Sequence, residues 1–249
     1  MSHISYLISK NMFRHKGKNR TYRHNLLLAA LLSSNAGLVN ITGVLSISVL
    51  TTNVTGHFAF FAEELSLNHF KLAISFLVYI FSFLFGSFFS SILTEYFESK
   101  EKKTSHGLSM SIEIALLFCV GYYLKYLNPT FSPHFIASIL LFAMGMQNSL
   151  VTQISSSTVR TTHLTGLFTD LGIELSQLFF HKKIEEKKLL WKSINLRLAI
   201  ISFFFIGGVI GGYLFKYIQE GTLIVASIIL MFALMFDVFR KQYYKIVRN

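Results

Sequence analysis

Cysteine occurs once in this chain, as Cys119, and proline twice, as Pro129 and Pro133. A lone thiol excludes both a disulfide scaffold and a thiolate metal cage. Charge is scarce as well, at 14% of residues against roughly 25% in a soluble domain. Acidic residues are the scarcer sign, 12 against 23 basic ones. Several signatures are missing: His-Glu-x-x-His, the Gly-x-x-x-x-Gly-Lys phosphate loop and the nucleophile elbow. Ser155-Ser156-Ser157 is the polar end of a span, not a catalytic serine context. No enzyme, cofactor or metal is therefore expected.

What is present is apolar: 52% hydrophobic residues, 26 of them Phe, with a mean hydropathy of +0.51. So few charges cannot coat a soluble fold of 249 residues, and intrinsic disorder needs the opposite composition. A multi-pass membrane protein remains.

The positions of the charges support this. No Asp, Glu, Lys or Arg lies between Leu26 and Ala62. The stretches Leu72–Thr94, Gly107–Leu124, Ser132–Val159, Leu198–Phe215 and Gly221–Phe236 are also free of them, Glu113 excepted. These runs are of the order of the 20 residues that cross a bilayer. Lys and Arg gather in alternate joints: an arm with Lys10, Arg14, Lys16, Lys18, Arg20 and Arg23; Lys100, Lys102 and Lys103; a long joint from Arg160 to Arg197; and a tail from Arg240 to Arg248. These joints hold 20 of the 23 basic residues. The remaining three, Lys71, Lys125 and Lys216, flank the other joints. A nucleic-acid groove would need cations spread through the fold. The positive-inside rule instead gives six spans with both termini cytoplasmic. The arm followed by Leu26–Leu32 and Ser34-Asn35-Ala36 imitates a secretory signal. Its apolar run continues to Leu50, so it is read as a retained first span.

The chain also repeats itself. Ala36-Gly37-Leu38-Val39-Asn40 answers to Met144-Gly145-Met146-Gln147-Asn148, both Gly-x-x-Asn. Thr51-Thr52-Asn53-Val54-Thr55-Gly56 answers to Thr161-Thr162-His163-Leu164-Thr165-Gly166, and Glu64-Leu65-Ser66 to Glu174-Leu175-Ser176. Further on, Lys71-Leu72-Ala73-Ile74 matches Arg197-Leu198-Ala199-Ile200, and Gly86 falls on Gly212. Three spans per half is an odd number, so the halves enter from opposite sides. That predicts an all-α fold of about six transmembrane helices in a 3+3 inverted repeat, an arrangement common in secondary transporters. The boundaries are a basic cytoplasmic arm over 1–25 and a single transmembrane domain over 26–249. Within it repeat 1 runs over about 26–127, repeat 2 over about 132–240, and a basic tail over 241–249.

Thr-Gly opens an apolar run in each half, and reads as a helix start with Thr as the cap. Two readings of these short helices compete. They are either surface-lying amphipathic connectors, as the spacing of Asp170, Glu174, Gln177 and His181 suggests, or re-entrant helices whose N-termini face a central cavity. On the second reading Asn40, Thr55, Gly56, Gln147, Asn148, Thr165 and Gly166 line a path for a polar or anionic solute. The amides of Asn40, Gln147 and Asn148 serve equally well as bonds between helices. Gly207-Gly208-Val209-Ile210-Gly211-Gly212 reads as a close-packing face. Glu113 is a candidate coupling carboxylate inside a span, or an anchor snorkelling to the interface. Glu64 and Glu174 are further carboxylate candidates, and Asp237 near Arg240 reads as an anchor.

Ala36–Asn40 followed by Val54-Thr55-Gly56, and Phe142–Asn148 followed by Val159–Gly166, resemble the YoaK-like family. These are small bacterial multi-pass inner-membrane proteins of unknown function. The resemblance covers roughly residues 25–240. The family often carries an acid where Asn40 stands and Asn where His57 stands, so coupling in this chain is expected to differ. The resemblance implies a bacterial membrane location and supplies no substrate.

The expected function is a small secondary transporter or permease of the bacterial inner membrane, alternating access around a midplane site. The alternative is a non-transporting membrane scaffold or assembly partner. The expected partners are the lipid bilayer and an unidentified small solute; no nucleic acid is expected, and a homo-oligomer is left open. Cysteine probes placed at Asn68 and Asn128 should label from outside intact cells. Labelling only after permeabilisation overturns the orientation.

Overall fold

The computed structural model describes residues 21–99, 105–127, 130–180 and 183–247, with side chains as far as 235. The arm over 1–20, the basic joint at 100–104, Asn128-Pro129, His181-Lys182 and the side chains of Asp237 and the tail lie outside the described residues. Among the described residues there are eight helices and no strand. They are α1 (Tyr22–Ile47), α2 (Val54–Ser66), α3 (Phe70–Ser99), α4 (Ser105–Tyr126), α5 (Pro133–Ile154), α6 (Leu164–Phe180), α7 (Ile184–Ile218) and α8 (Gly221–Val247).

Among the described residues five segments are long and apolar enough to cross a membrane: Tyr22–Ile47, Phe70–Ser99, His106–Tyr126, Pro133–Ile154 and Ile184–Ile218. In α8 the apolar stretch among the described residues is shorter, Gly221–Met235. The chain is an all-helical, multi-pass membrane protein. Its inside and outside follow from which helices are apolar all round. Two of them, α1 and α5, lie at the centre and bury Leu28, Leu32, Ala36, Val39, Leu140 and Met144. The peripheral α3 and α7 turn aromatic side chains outward, among them Phe81, Phe85, Phe88, Phe205 and Tyr213. In water such a face would be a liability; against lipid it is the solvated side.

Close backbone approach holds the centre to the periphery. A Cβ on Gly37 of α1 would collide with the Phe204 carbonyl of α7, and one on Gly207 of α7 with the Ser34 carbonyl of α1. On the other side of the bundle, a Cβ on Gly145 of α5 would strike the Phe83 carbonyl of α3, and one on Gly86 of α3 the Phe142 carbonyl of α5. Ser87 Oγ adds a 3.0 Å bond to the Gly145 carbonyl. Lipid is as apolar as Leu, so helices associate here by such contacts and by interhelical bonds rather than by burial from water. The partner of Gly86 in this packing is not Gly212, the position it matches in sequence. Gly212 has only the Ile41 side chain near it, at 3.8 Å from an added Cβ, whereas Gly207 makes the close contact. Which glycine does so depends on helix register, which apolar residues do not encode.

The central pair is tied by a polar bridge. Asn35 Nδ2 of α1 donates to Gln147 Oε1 of α5 at 3.1 Å, and Gln147 Nε2 donates to the Leu32 carbonyl at 2.9 Å. Both side chains are buried. Gln147 is thus occupied in joining helices.

The short helices α2 and α6 lean on α3 and α7. Leu167 and Leu171 are the buried residues of α6, and its Asp170 and Glu174 pair with Arg197 of α7. Arg197 Nε and Nη2 donate to the two oxygens of Glu174 at 2.8 and 2.9 Å, Nη1 donates to Asp170 Oδ2 at 2.9 Å, and Ser193 Oγ donates to Glu174 at 2.6 Å. Partial burial pushes the Glu174 carboxyl up, but these bonds and the Arg197 charge hold it below the usual carboxylate range. The clamp is therefore complete at neutral pH and is lost only as acid protonates Glu174. Phe168, Ile173, Leu175, Phe179 and Phe180 are left on the outer side. α6 thus pairs its carboxylates with Arg197 of α7 and leaves aromatic residues on its outer side.

Gly37→Val should lower stability by about 1–3 kcal/mol, read as an earlier thermal melt in detergent. Gly172→Ala, where an added Cβ meets nothing within 4 Å, should leave the melt unchanged. Equal melts for the two variants would refute the close packing of α1 on α7.

Candidate functional site

The connection after α1 runs backward. Ser48 takes the left-handed backbone (φ 57°), its N–H bonds the Val44 carbonyl, and the chain turns. Thr52 Oγ1 then donates to Asn40 Oδ1 at 3.0 Å. Asn40 lies seven residues before the end of α1, roughly 10 Å along the axis at 1.5 Å per residue. The segment has folded back beside the helix it left.

The connection after α5 does the same. Ser156 and Ser157 have positive φ, and Thr162 Oγ1 donates to Asn148 Oδ1 at 3.1 Å. Asn148 precedes the end of α5 by six residues, roughly 9 Å. Beside each bond stands a fully buried threonine, Thr51 or Thr161. The two Asn side chains therefore hold threonines of their own downstream turns and do not bond each other.

From these folded-back positions α2 and α6 begin, and their starts share one cavity of about 550 Å³. Thr52, Asn53, Val54 and Thr55 line it from one connection, and Arg160, Thr162, His163, Leu164, Thr165 and Gly166 from the other. Phe83, Asn148, Thr152 and Thr169 complete the wall. No carboxylate stands among these lining residues.

The sequence expected Thr55 and Thr165 to cap the two helices. The structure corrects this, because the helices start earlier. Asn53 caps α2, with Oδ1 accepting the Gly56 N–H at 2.9 Å. In α6 the His163 ring lies over Gly166, filling the space a Cβ would need. Thr55 and Thr165 sit inside the first turns with their side chains exposed. A Cβ at 166 would displace this ring, and one at 56 would meet the Asn53 amide at 2.9 Å, side-chain neighbours in both cases.

The remaining candidates separate. Thr55, Asn148, Thr165 and Gly166 line the cavity; Gly56 lies behind the first turn and Asn40 one hydrogen bond away. Gln147 is taken up by the α1–α5 bridge. Glu64 accepts from His69 Nδ1 at 2.8 Å, and Glu174 belongs to the Arg197 clamp. Glu113 is fully buried in α4, and neither carboxylate oxygen has a hydrogen-bond partner among the described residues. It does not snorkel to the interface. Sequence reasoning missed Asn53, Phe83, Thr152, Arg160, His163 and Thr169. Asn53 and His163 occupy the variable third position of the repeated Thr-Thr-x-x-Thr-Gly, and that was the available signal.

No solved structure matches the chain. Among curated proteins it is similar to the "UPF0700 transmembrane protein YoaK" of Bacillus subtilis (strain 168), 24% identical over 193 residues, which is 76% of this chain and 82% of the relative. The family described as "Protein of unknown function (DUF1275)" matches residues 28–236, nearly all of the membrane-embedded helices. The paired Gly-x-x-Asn and Thr-Thr-x-x-Thr-Gly segments that build the cavity lie inside that match, and the chain belongs to this family of YoaK-like membrane proteins.

Proposed function

We propose that this chain is a small secondary transporter, a carrier without a chemical step, that alternates access to the cavity between α2 and α6. We place it in the bacterial inner membrane with both termini cytoplasmic. The observation that carries the reading is that both Thr-Gly turns, far apart in sequence, line one cavity of about 550 Å³. That volume lies within the 300–1,000 Å³ typical of small-molecule sites.

The reading includes six spans arranged as a 3+3 inverted repeat, and matched contacts support it. Gly37 meets Phe204 and Gly208 as Gly145 meets Phe83 and Ser87, and Ser34 meets Gly207 as Phe142 meets Gly86. Thr52 bonds Asn40 as Thr162 bonds Asn148. Each contact maps onto its counterpart when α1 is exchanged for α5 and α3 for α7. Rocking of two such units about a shared site is how inverted-repeat carriers alternate. Short helices bearing the cavity wall, each clamped to a long one, are suited to move with it.

Glu113 is the proposed coupling carboxylate. An ionised carboxylate buried without a partner costs several kcal/mol, which binding a proton removes. Proton release then requires the α4 surroundings to open, which links protonation to conformation. Glu174, held by Arg197, acts as the clamp of α6 on α7 in this scheme, and Glu64 bonds only the neighbouring His69.

Purified protein in proteoliposomes should take up a solute from a broad panel. Thr55→Val and Thr165→Val should each slow uptake, and the double variant should slow it further, with the thermal melt unchanged. No uptake of any solute by a correctly folded chain would refute transport. Glu113→Gln should remove the pH dependence of uptake while leaving the protein folded in the membrane. An unaltered pH profile in that variant would remove Glu113 from the coupling role.

A further inference from the structure

The charge of the cavity wall identifies a class of solute, on the reading that the cavity is the solute site. The first N–H groups of a helix have no intrahelical acceptor, and a helix start carries roughly half a positive charge. The first-turn residues Val54, Thr55, Leu164, Thr165 and Gly166 all stand on the wall. Helix starts are commonly balanced by Asp or Glu in the first turn. Neither α2 nor α6 has an acidic residue there.

A full charge is added by Arg160, a solvent-exposed residue that lines the cavity and makes no ion pair among the described residues. The chain treats its other arginine in this region differently, since Arg197 is neutralised by Asp170 and Glu174. Two helix starts and one guanidinium thus border a space that no carboxylate lines among the described residues. Such a site concentrates anions and repels cations.

The lining narrows the class. The hydroxyls of Thr52, Thr55, Thr162 and Thr165 and the Asn148 amide can donate to and accept from a hydroxylated body. Phe83 supplies one apolar wall. We infer that the cavity binds a small hydroxylated organic oxyanion, a carboxylate or phosphate ester, with Arg160 as the residue that binds its charged group. The planar guanidinium matches either oxyanion through paired hydrogen bonds.

The test is calorimetry on the full chain in phosphatidylcholine nanodiscs at millimolar probe. Gluconate and glycerol 3-phosphate are the anionic probes, glucose and glycerol their neutral counterparts, and glucosamine the cation. At least one anion should bind about tenfold or more tighter than its neutral counterpart, the loss expected for one charge-assisted hydrogen bond. Gluconate binding alone assigns the carboxylate, and glycerol 3-phosphate binding alone the phosphate ester. Arg160→Gln should lower the affinity for that anion by a similar factor, and Arg160→Lys should lower it less. The inference is overturned if neither anion binds, if a neutral or cationic probe binds as well, or if Arg160→Gln leaves the affinity within about twofold. Uptake of a neutral or cationic solute by proteoliposomes would overturn the anion class and leave transport standing. Anion binding that depends on Arg160, without uptake of any solute, would overturn transport and leave the anion site standing.

Discussion

A segment that folds back along the helix it has just left needs a contact to hold it there, and the side chains of Asn40 and Asn148 supply one in this chain. Each projects from a central helix and accepts a hydrogen bond from the threonine of a segment folded back beside it. They act beside other bonds of the same turns, His57 to the Leu50 carbonyl and the Val159 N–H to Ser155 Oγ. The starts of α2 and α6 and the cavity they share depend on this return of the chain.

The packing around the turns serves the same end by different means on the two sides of the bundle. Glycines let the backbones of α1 and α7, and of α5 and α3, approach closely enough to leave the middle of the bundle narrow and well supported. The short helices are then fastened individually. On α6 a guanidinium takes two carboxylates and a serine hydroxyl closes the set. On α2 the fastening is aromatic. His57 bonds the Leu50 carbonyl at 2.7 Å and packs against Phe76 and Tyr79, and Tyr79 in turn bonds His134 at 2.6 Å. The cation on the cavity wall comes only from the second connection, at Arg160. Two segments alike in sequence therefore present different chemistry to the space they share.

Several parts of this arrangement were legible in the residues. The expense of placing a charge in hydrocarbon is borne by each residue separately, so charge-free runs mark the crossing helices without knowledge of their neighbours. Thr-Thr-x-x-Thr-Gly, repeated beside Gly-x-x-Asn, pointed to the two turns because identical local chemistry in both halves needs a common reason. Thr55, Asn148, Thr165 and Gly166 were found in this way. Gln147 was singled out by the same pattern, but its amide bonds Asn35 on another helix. The cap was assigned to Thr55 when Asn53 performs it, since a shift of the helix start by two residues exchanges those roles.

What the sequence by itself determined is therefore the set of properties that each segment carries alone: which stretches are apolar, which joints are basic, and which turns recur. Only the tertiary structure decided the properties that exist between segments. Gly86 matches Gly212 in the chain yet packs as Gly207 does, because helix register is settled by which carbonyl can approach which glycine. Glu174 is clamped because α7 brings Arg197 to it, whereas Glu113 has no hydrogen-bond partner among the described residues. Arg160 joins the cavity wall because the chain after α5 turns back beside Asn148. Hydropathy and spacing act within a segment, whereas a hydrogen bond or a close contact needs two groups whose meeting the whole fold arranges.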